Sequence, residues 1–342
     1  MSARECIIPV FVPHLGCRHD CVFCNQRRIS GSETPATAAT VIQAIEQSAA
    51  LPRSGAKRQL AFYGGSFTAI ETAKQEELLS AAAAAIARGE IDSIRLSTRP
   101  DAIDKTVLAR LRRYGVETVE LGAQSMDDEV LRLAGRGHTA EDVVNAAGAV
   151  RAAGFHLILQ MMTGLPGDSA EKDVETAKKL IALHPDGVRI YPTVIVRDTA
   201  LYELWRAGRY REHTIEDAVA ACAQLVPLFE EAGVEIIRLG LNPTEELSAG
   251  AAVAGAYHPA LGELVRARVM RQKALRLLQG IEPGSVVTLG VRAGELSQMI
   301  GQKRENITAI CGSLSLAGLK VRSCPLEKGE IVILSVEKSG KV

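Results

Sequence analysis

The chain has 342 residues, 47% of them apolar and 4% aromatic, with a formal net charge of zero. That length and apolar content exclude a disordered chain and suit one large domain plus a small one. The charge is uneven: from Leu261 onward there are 13 Lys and Arg against 7 Asp and Glu, a net of +6, which leaves −6 on the rest.

A basic segment beside an acidic body reads either as a face for an anionic partner or as plain surface composition. Met1–Arg4 runs directly into I-I-P-V-F-V-P without a signal-peptide pattern. No apolar run reaches the roughly 18–20 residues of a bilayer span. A cytoplasmic protein with no membrane partner is therefore expected. Seven cysteines, an odd and unevenly spaced set, point to metal or redox chemistry and not to disulfides.

Strand-like runs are read at 6–12, 59–63, 93–97, 116–121, 155–160, 187–191 and 234–239. Amphipathic helical stretches lie between them, near 38–50, 71–88, 101–114, 139–153, 169–183 and 214–232. Gly or Pro marks most junctions, as in A-G-F, H-P-D-G and E-A-G-V. Repeated strand–helix units imply an α/β fold with parallel strands and right-handed crossovers. A full or partial (β/α) barrel is favoured, with a doubly wound sheet as the alternative. In either, functional residues gather at the C-terminal ends of the strands. The cysteine loop follows strand one, G-G-S at 64–66 follows strand two, Gln124 follows strand four and Gln160 ends strand five.

The pattern changes after residue 240. The division expected is a core at 1–240, a linker and basic helix at 241–280, and a small module at 281–342. The basic helix is read from His258 to Gln279. The module reads strand 285–291, helix 293–300, a G-Q-K-R turn, helix 305–311, and strands 318–323 and 330–336, a β-α-α-β-β order.

The stretch C-R-H-D-C-V-F-C places Cys17, Cys21 and Cys24 within eight residues, with His14, His19 and Asp20 nearby. A structural zinc site closes with four ligands, commonly two pairs of cysteines. A 4Fe-4S cluster needs three or four thiolates close together, and three leave one iron open. A Cys3His zinc knuckle is the other reading of the loop. The isolated Cys6, Cys222, Cys311 and Cys324 read as buried small apolar residues.

C-x3-C-x2-C in a loop after the first strand of a (β/α) barrel resembles the radical S-adenosylmethionine (SAM) superfamily. The resemblance implies a 4Fe-4S cluster on Cys17, Cys21 and Cys24. Its fourth iron would chelate SAM, and reductive cleavage would give a 5′-deoxyadenosyl radical. Longer segments resemble one branch, the catalytic subunit of Elongator and its bacterial and archaeal relatives. They are F-Y-G-G-S-F-T, S-T-R-P-D, V-E-L-G-A-Q-S-M-D-D-E-V-L, G-R-G-H-T-A-E-D, G-F-H-L-I-L-Q-M-M-T-G-L-P-G-D-S and R-I-Y-P-T-V-I-V-R-D-T-A-L-Y-E-L-W, within residues 5–240. The anaerobic coproporphyrinogen oxidase family resembles the core more distantly.

By this resemblance Gly64 and Gly65 receive the SAM ammonium group and Ser66 its carboxylate. Phe11 and Phe23 pack beside cluster and adenine. Ser97, Gln124, Arg136 and Gln160 line the ribose and carboxylate, although relatives place an acid at the position of Gln160. Glu120 is read as a structural partner of Arg99, and Tyr191, Tyr202 and Trp205 as barrel-rim packing. No Gly-rich acetyl-CoA loop is legible after residue 240, so the acetyltransferase chemistry of the Elongator branch is not expected.

The small module resembles the KH fold, whose G-x-x-G loop clamps a nucleic-acid backbone. Here Gly301 stands first and Arg304 takes the second glycine's place. That arginine either blocks close approach or joins Lys303 in a phosphate contact. Arg266, Arg268, Arg271, Lys273 and Arg276 would extend such a surface. The expected function is radical SAM chemistry on RNA, such as tRNA modification, driven by a reductant such as flavodoxin or ferredoxin. The alternatives are a small-molecule substrate such as a porphyrin precursor, or a non-catalytic, zinc-stabilised RNA-binding protein.

Overall fold

A computed structural model describes residues 5–17, 20–26, 35–49, 56–242, 244 and 247–338. The chain divides into two compact units, one of residues 1–214 and 228–257, the other of 215–227 and 258–342.

The first unit is built on seven parallel strands: β1 (Glu5–Phe11), β2 (Lys57–Tyr63), β3 (Ser93–Thr98), β4 (Val116–Gln124), β5 (His156–Thr163), β6 (Gly187–Pro192) and β8 (Glu235–Leu239). They lie side by side in chain order, and β1 and β8 are its two unjoined edges. A doubly wound sheet would reverse its order at a switch point. Strictly sequential order instead gives an open, partial (β/α) barrel. Gln160 lies inside β5, which continues to Thr163.

The helices between strands are α1 (Ala38–Ala49), α2 (Thr72–Ala87), α3 (Lys105–Arg113), α4 (Asp128–Leu133), α5 (Ala140–Ala152), α6 (Ala170–Ala182) and α7 (Ala200–Arg206). Most start on a side-chain cap that satisfies an otherwise unpaired amide. Asp104 accepts from Val107 N at 2.7 Å, Asp127 from Val130 N at 2.9 Å, and Thr199 from Tyr202 N at 3.1 Å. Thr139 and Asp142 form a reciprocal capping box. Return turns need left-handed backbone, which Gly154 supplies at φ +76°. Two short strands unforeseen in the sequence, β7 (Val194–Val196) and β9 (Ala252–Gly255), pair antiparallel. The segment read as linker therefore contributes structure to the core unit.

The helix α8 (Ile215–Glu231) spans the division between the units, with Pro227 inside it. In the second unit, β10 (Ser285–Arg292) is the centre of a three-stranded sheet, parallel to β11 (Gly318–Cys324) and antiparallel to β12 (Ile331–Lys338). The basic helix α9 (Leu261–Leu277) buries Met270 and Ala274 in the same core as Val287, Leu289 and Val291 of β10. Met299 of α10 (Leu296–Ile300) and Ile307 and Ile310 of α11 (Glu305–Leu314) complete that core. No helix among the described residues is long and apolar enough to cross a membrane. Of the isolated cysteines, Cys222 is buried, whereas Cys6, Cys311 and Cys324 are half-exposed. Cys6 lies on an edge strand and Cys324 at a strand end.

Candidate functional site

The loop after β1 is anchored by other elements before its cysteines are placed. Val12 N donates to Tyr63 O at 2.7 Å, and Ser66 N to Leu15 O at 2.9 Å. Val22 N reaches Ala134 O behind α4, and Leu201 N of α7 reaches Val22 O. Two strand ends and two helices thus hold one cysteine loop. Gly65 has a packing reason to be glycine: a Cβ there would strike the carbonyls of Val12 and Leu15. Gly64 has a conformational one, with φ +91°. The two glycines press the end of β2 under the loop.

Cys17, Cys21 and Cys24 line a cavity of about 670 Å³ together with Phe11, Phe23, Gly64, Gly65, Ser66, Ser97, Gln124, Arg136 and Gln160. Burial, with the charge of Cys21, pushes the Cys24 thiol up to about 12. Burial also raises Cys17, against the lowering effect of Arg99 and Arg136. A metal binding at these sulfurs must displace their protons. Arg136 Nη1 stands 3.2 Å from Cys21 Sγ, and its Nη2 donates to Gly122 O at 2.7 Å. Gln26 Nε2 donates to Cys24 Sγ at 3.4 Å.

The other expected residues differ in how free they are. Ser66 is buried, its hydroxyl shared with Thr98 Oγ1 at 3.1 Å and accepting from Arg99 N at 3.3 Å. Ser97 and Gln160 are tied to Glu120 Oε2 at 3.4 and 3.1 Å. Gln124 sits at a β-bulge with φ +67°, a left-handed conformation uncommon outside glycine. Gln124 Oε1 and Arg136 Nε are buried without a hydrogen-bond partner. Phe23 and the partly buried Tyr191 pack against a buried cluster of Val130, Ala134, Met162 and Leu165.

Glu120 does not pair with Arg99. It accepts from Arg189 Nε at 2.9 Å, Arg95 Nη1 at 3.4 Å and Tyr63 Oη at 3.0 Å. Arg99 lies beyond the end of β3, where the chain turns, and pairs with Asp101 at 2.9 Å. Arg95 is two residues before Ser97 on the same face and faces the cavity. Tyr191 also lines the cavity, not merely the rim, and burial raises its phenol above the ordinary range. Tyr202 and Trp205 pack on each other at 6.1 Å.

Tyr63, Arg95, Arg189 and Arg238, all lining the cavity, were not foreseen. The signal was present: I-R-L, V-E-L, V-R-I and I-R-L each set one charge inside a parallel strand. Buried parallel strands are ordinarily near-continuous apolar runs.

Three thiols, an arginine beside one sulfur and unsatisfied buried polar atoms around one cavity suit a cluster that carries an amino-acid chelate. Among the described residues no three His, Cys, Asp or Glu side chains, the three cysteines included, are gathered as a ready metal site, which bears equally on a zinc ion and on a cluster. His14 Nε2 accepts from Gln26 N at 3.0 Å, and His19 lies outside the described residues.

The family model described as the radical SAM superfamily matches residues 11–180, and a radical SAM C-terminal domain model matches 185–271. The chain belongs to the radical SAM superfamily. This radical SAM enzyme is 36% identical over 138 residues to Elongator complex protein 3 of Homo sapiens, covering 40% of this chain and 25% of that one. It is 31% identical over 184 residues to the tRNA uridine(34) acetyltransferase of Methanocaldococcus infernus, covering 53% and 33%. The chain thus spans a quarter to a third of these relatives' length. Among solved structures, the archaeal Methanocaldococcus infernus Elp3 with an N-terminal deletion aligns with a TM-score of 0.61 at 23% identity, over 83% of this chain and 67% of that one. That likeness supports the fold. Superfamily members use a 4Fe-4S cluster and SAM.

In the second unit, the turn between α10 and α11 holds Gly301 at φ +75°, Lys303 at +47° and Arg304 at +65°. A Cβ on Gly301 would press on Asn306 N. Asn306 is buried and donates to Ala267 O at 2.8 Å and Gln298 O at 2.9 Å, tying α9 to the turn. Lys303 and Arg304 are exposed. The basic helix is less free than its sequence suggests. Arg268 pairs with Glu216 at 2.6 Å, Arg271 with Glu305 at 3.3 Å, and Lys273 donates to Gly329 O at 3.2 Å.

Proposed function

We propose that this radical SAM enzyme acts on RNA, with tRNA as the first substrate class to test. One observation carries the reading. Five arginines (Arg95, Arg99, Arg136, Arg189 and Arg238) line the cysteine-bearing cavity against three acids, Glu5, Asp20 and Glu120, an excess that favours an anionic substrate. The names of the relatives agree with it, since the matched archaeal protein is a tRNA uridine(34) acetyltransferase.

Cys17, Cys21 and Cys24 would hold the cluster. Gly64 and Gly65 would offer backbone to the SAM ammonium group. Ser97, Gln124, Arg136 and Gln160 would line its ribose and carboxylate, with Phe11 and Phe23 excluding water beside them. Held there and reduced by one electron from a flavodoxin- or ferredoxin-like donor, the cluster and SAM would supply radical hydrogen abstraction from the substrate. Arg136, beside Cys21, offsets the negative charge that ionised thiolates bring into a low-dielectric pocket. The network around Glu120 fixes Ser97 and Gln160 on the cavity wall. In the second unit, Gly301, Lys303 and Arg304 form the turn proposed to meet an RNA backbone.

The test is anaerobic reconstitution with iron and sulfide, then SAM and dithionite, with 5′-deoxyadenosine measured with and without total tRNA. The expected result is that tRNA raises its formation and that mass spectrometry of the digested tRNA finds an altered nucleoside. Formation indifferent to every RNA added would reject the RNA reading.

A further inference from the structure

We infer that Arg238, on the edge strand β8, anchors a phosphate of the nucleic-acid substrate in the cavity. The inference rests on the RNA reading above and adds a position to it.

Of the five arginines lining the cavity, three have carboxylate partners. Arg95 pairs with Glu5 at 2.7 Å, Arg189 with Glu120 at 2.9 Å and Arg99 with Asp101 at 2.9 Å. Arg136 faces the thiol of Cys21. Among the described residues the hydrogen-bond partners of Arg238 are backbone carbonyls, with Nε donating to Gly240 O at 3.1 Å and Nη2 to Leu241 O at 3.3 Å. No carboxylate among the described residues pairs with it. Those carbonyls orient the guanidinium without neutralising it. The Nη1 hydrogens remain to be offered, and a planar fork held in one orientation suits the two oxygens of a phosphate.

The sheet register sharpens the point. Arg238 is the paired neighbour of Arg189 across β6 and β8. Residues so paired project to one face, and like charges side by side repel. Glu120 compensates Arg189, which leaves Arg238 as the cation that gains most from an anion. Asn242 and Thr244, just beyond β8, line the same cavity. The Thr244 hydroxyl accepts from Leu247 N at 3.2 Å, so its own hydrogen is available to a ligand oxygen. The site lies on the edge strand opposite β1, whose following loop carries the cysteines.

The test is the salt dependence of tRNA binding by the reconstituted full chain, read by fluorescence anisotropy with a labelled transcript. Loss of one phosphate contact lowers the slope of log K against log salt by about 0.7–0.9. Arg238→Gln is expected to show that drop, and Arg238→Lys to keep the slope. Asn242→Asp, an isosteric change at an exposed position, sets a carboxylate on the same wall and is expected to lower the slope similarly. Circular dichroism and iron content report folding. Slopes unchanged in both Arg238→Gln and Asn242→Asp, with the parent binding tRNA, would overturn this inference and leave the RNA reading standing. A parent that binds no RNA would overturn both.

Discussion

Glu120 is fully buried, and its two oxygens face two arginines, a tyrosine, a serine and a glutamine. Burial disfavours the charge on Arg189, and the Glu120 carboxylate together with the phenols of Tyr191 and Tyr63 outweighs that effect and holds the guanidinium charged. Removing one partner of a buried pair strands the other's charge, at about 3–5 kcal/mol. Glu120→Ala is expected to lose stability of that order in urea unfolding. A loss below about 1 kcal/mol would mean that water reaches these arginines and that the pairing is worth little.

At the scale of elements, helix α6 opens beside a pair of carboxyls, Asp173 buried and Asp168 half-buried. Burial, with the neighbouring Asp168, pushes Asp173 from its ordinary 3.8 up to about 10, and burial raises Asp168 as well. A raised carboxyl favours the protonated folded state. Its stabilisation is complete below about pH 4 and is lost as pH climbs toward about 10. Asp173→Asn is expected to flatten that decline and to gain on the order of 1–3 kcal/mol at mildly alkaline pH. Melting curves across pH check it, and a parent whose stability does not fall over that window contradicts it. In the second unit, Arg304 occupies a left-handed conformation that costs an L-residue roughly 1–2 kcal/mol. Arg304→Gly is expected to stabilise the turn by about 0.5–1 kcal/mol while removing a cation from the surface proposed to meet RNA. Thermal unfolding reads the first effect and tRNA affinity the second. Destabilisation would show that the arginine side chain itself holds the turn.

Across the whole molecule, a cluster bound only by the folded chain must raise its stability by mass action. Reconstituted protein is expected to melt higher than chelator-treated protein, at about 2–4 °C per kcal/mol for a chain of this class. Cys17→Ala, Cys21→Ala and Cys24→Ala are each expected to abolish that difference and the bound iron while keeping far-UV circular dichroism. A variant that still gained stability with iron would remove its cysteine from the set.

The seven sheet strands, the long helices between them and their order were legible in the sequence because periodicity, caps and Gly or Pro punctuation act within a few residues, whereas the short β7, β9, α4 and α7 were not. The cysteine loop and the glycine pair were legible for the same reason, since each is a short contiguous signature. The partners of the cavity's charges were not. Glu120 meets Arg189 from 69 positions away, and which arginine it meets depends on register between strands that no local pattern specifies. Arg99 stands next to the strand that carries Arg95, yet one lies beyond the strand end and the other on the cavity face. The basic helix likewise reads as a free cationic surface until tertiary packing brings Glu216 and Glu305 onto Arg268 and Arg271. Local chemistry set the fold class and the cysteine loop. Only long-range packing, by choosing which charges meet, left Arg238 without a carboxylate among the described residues.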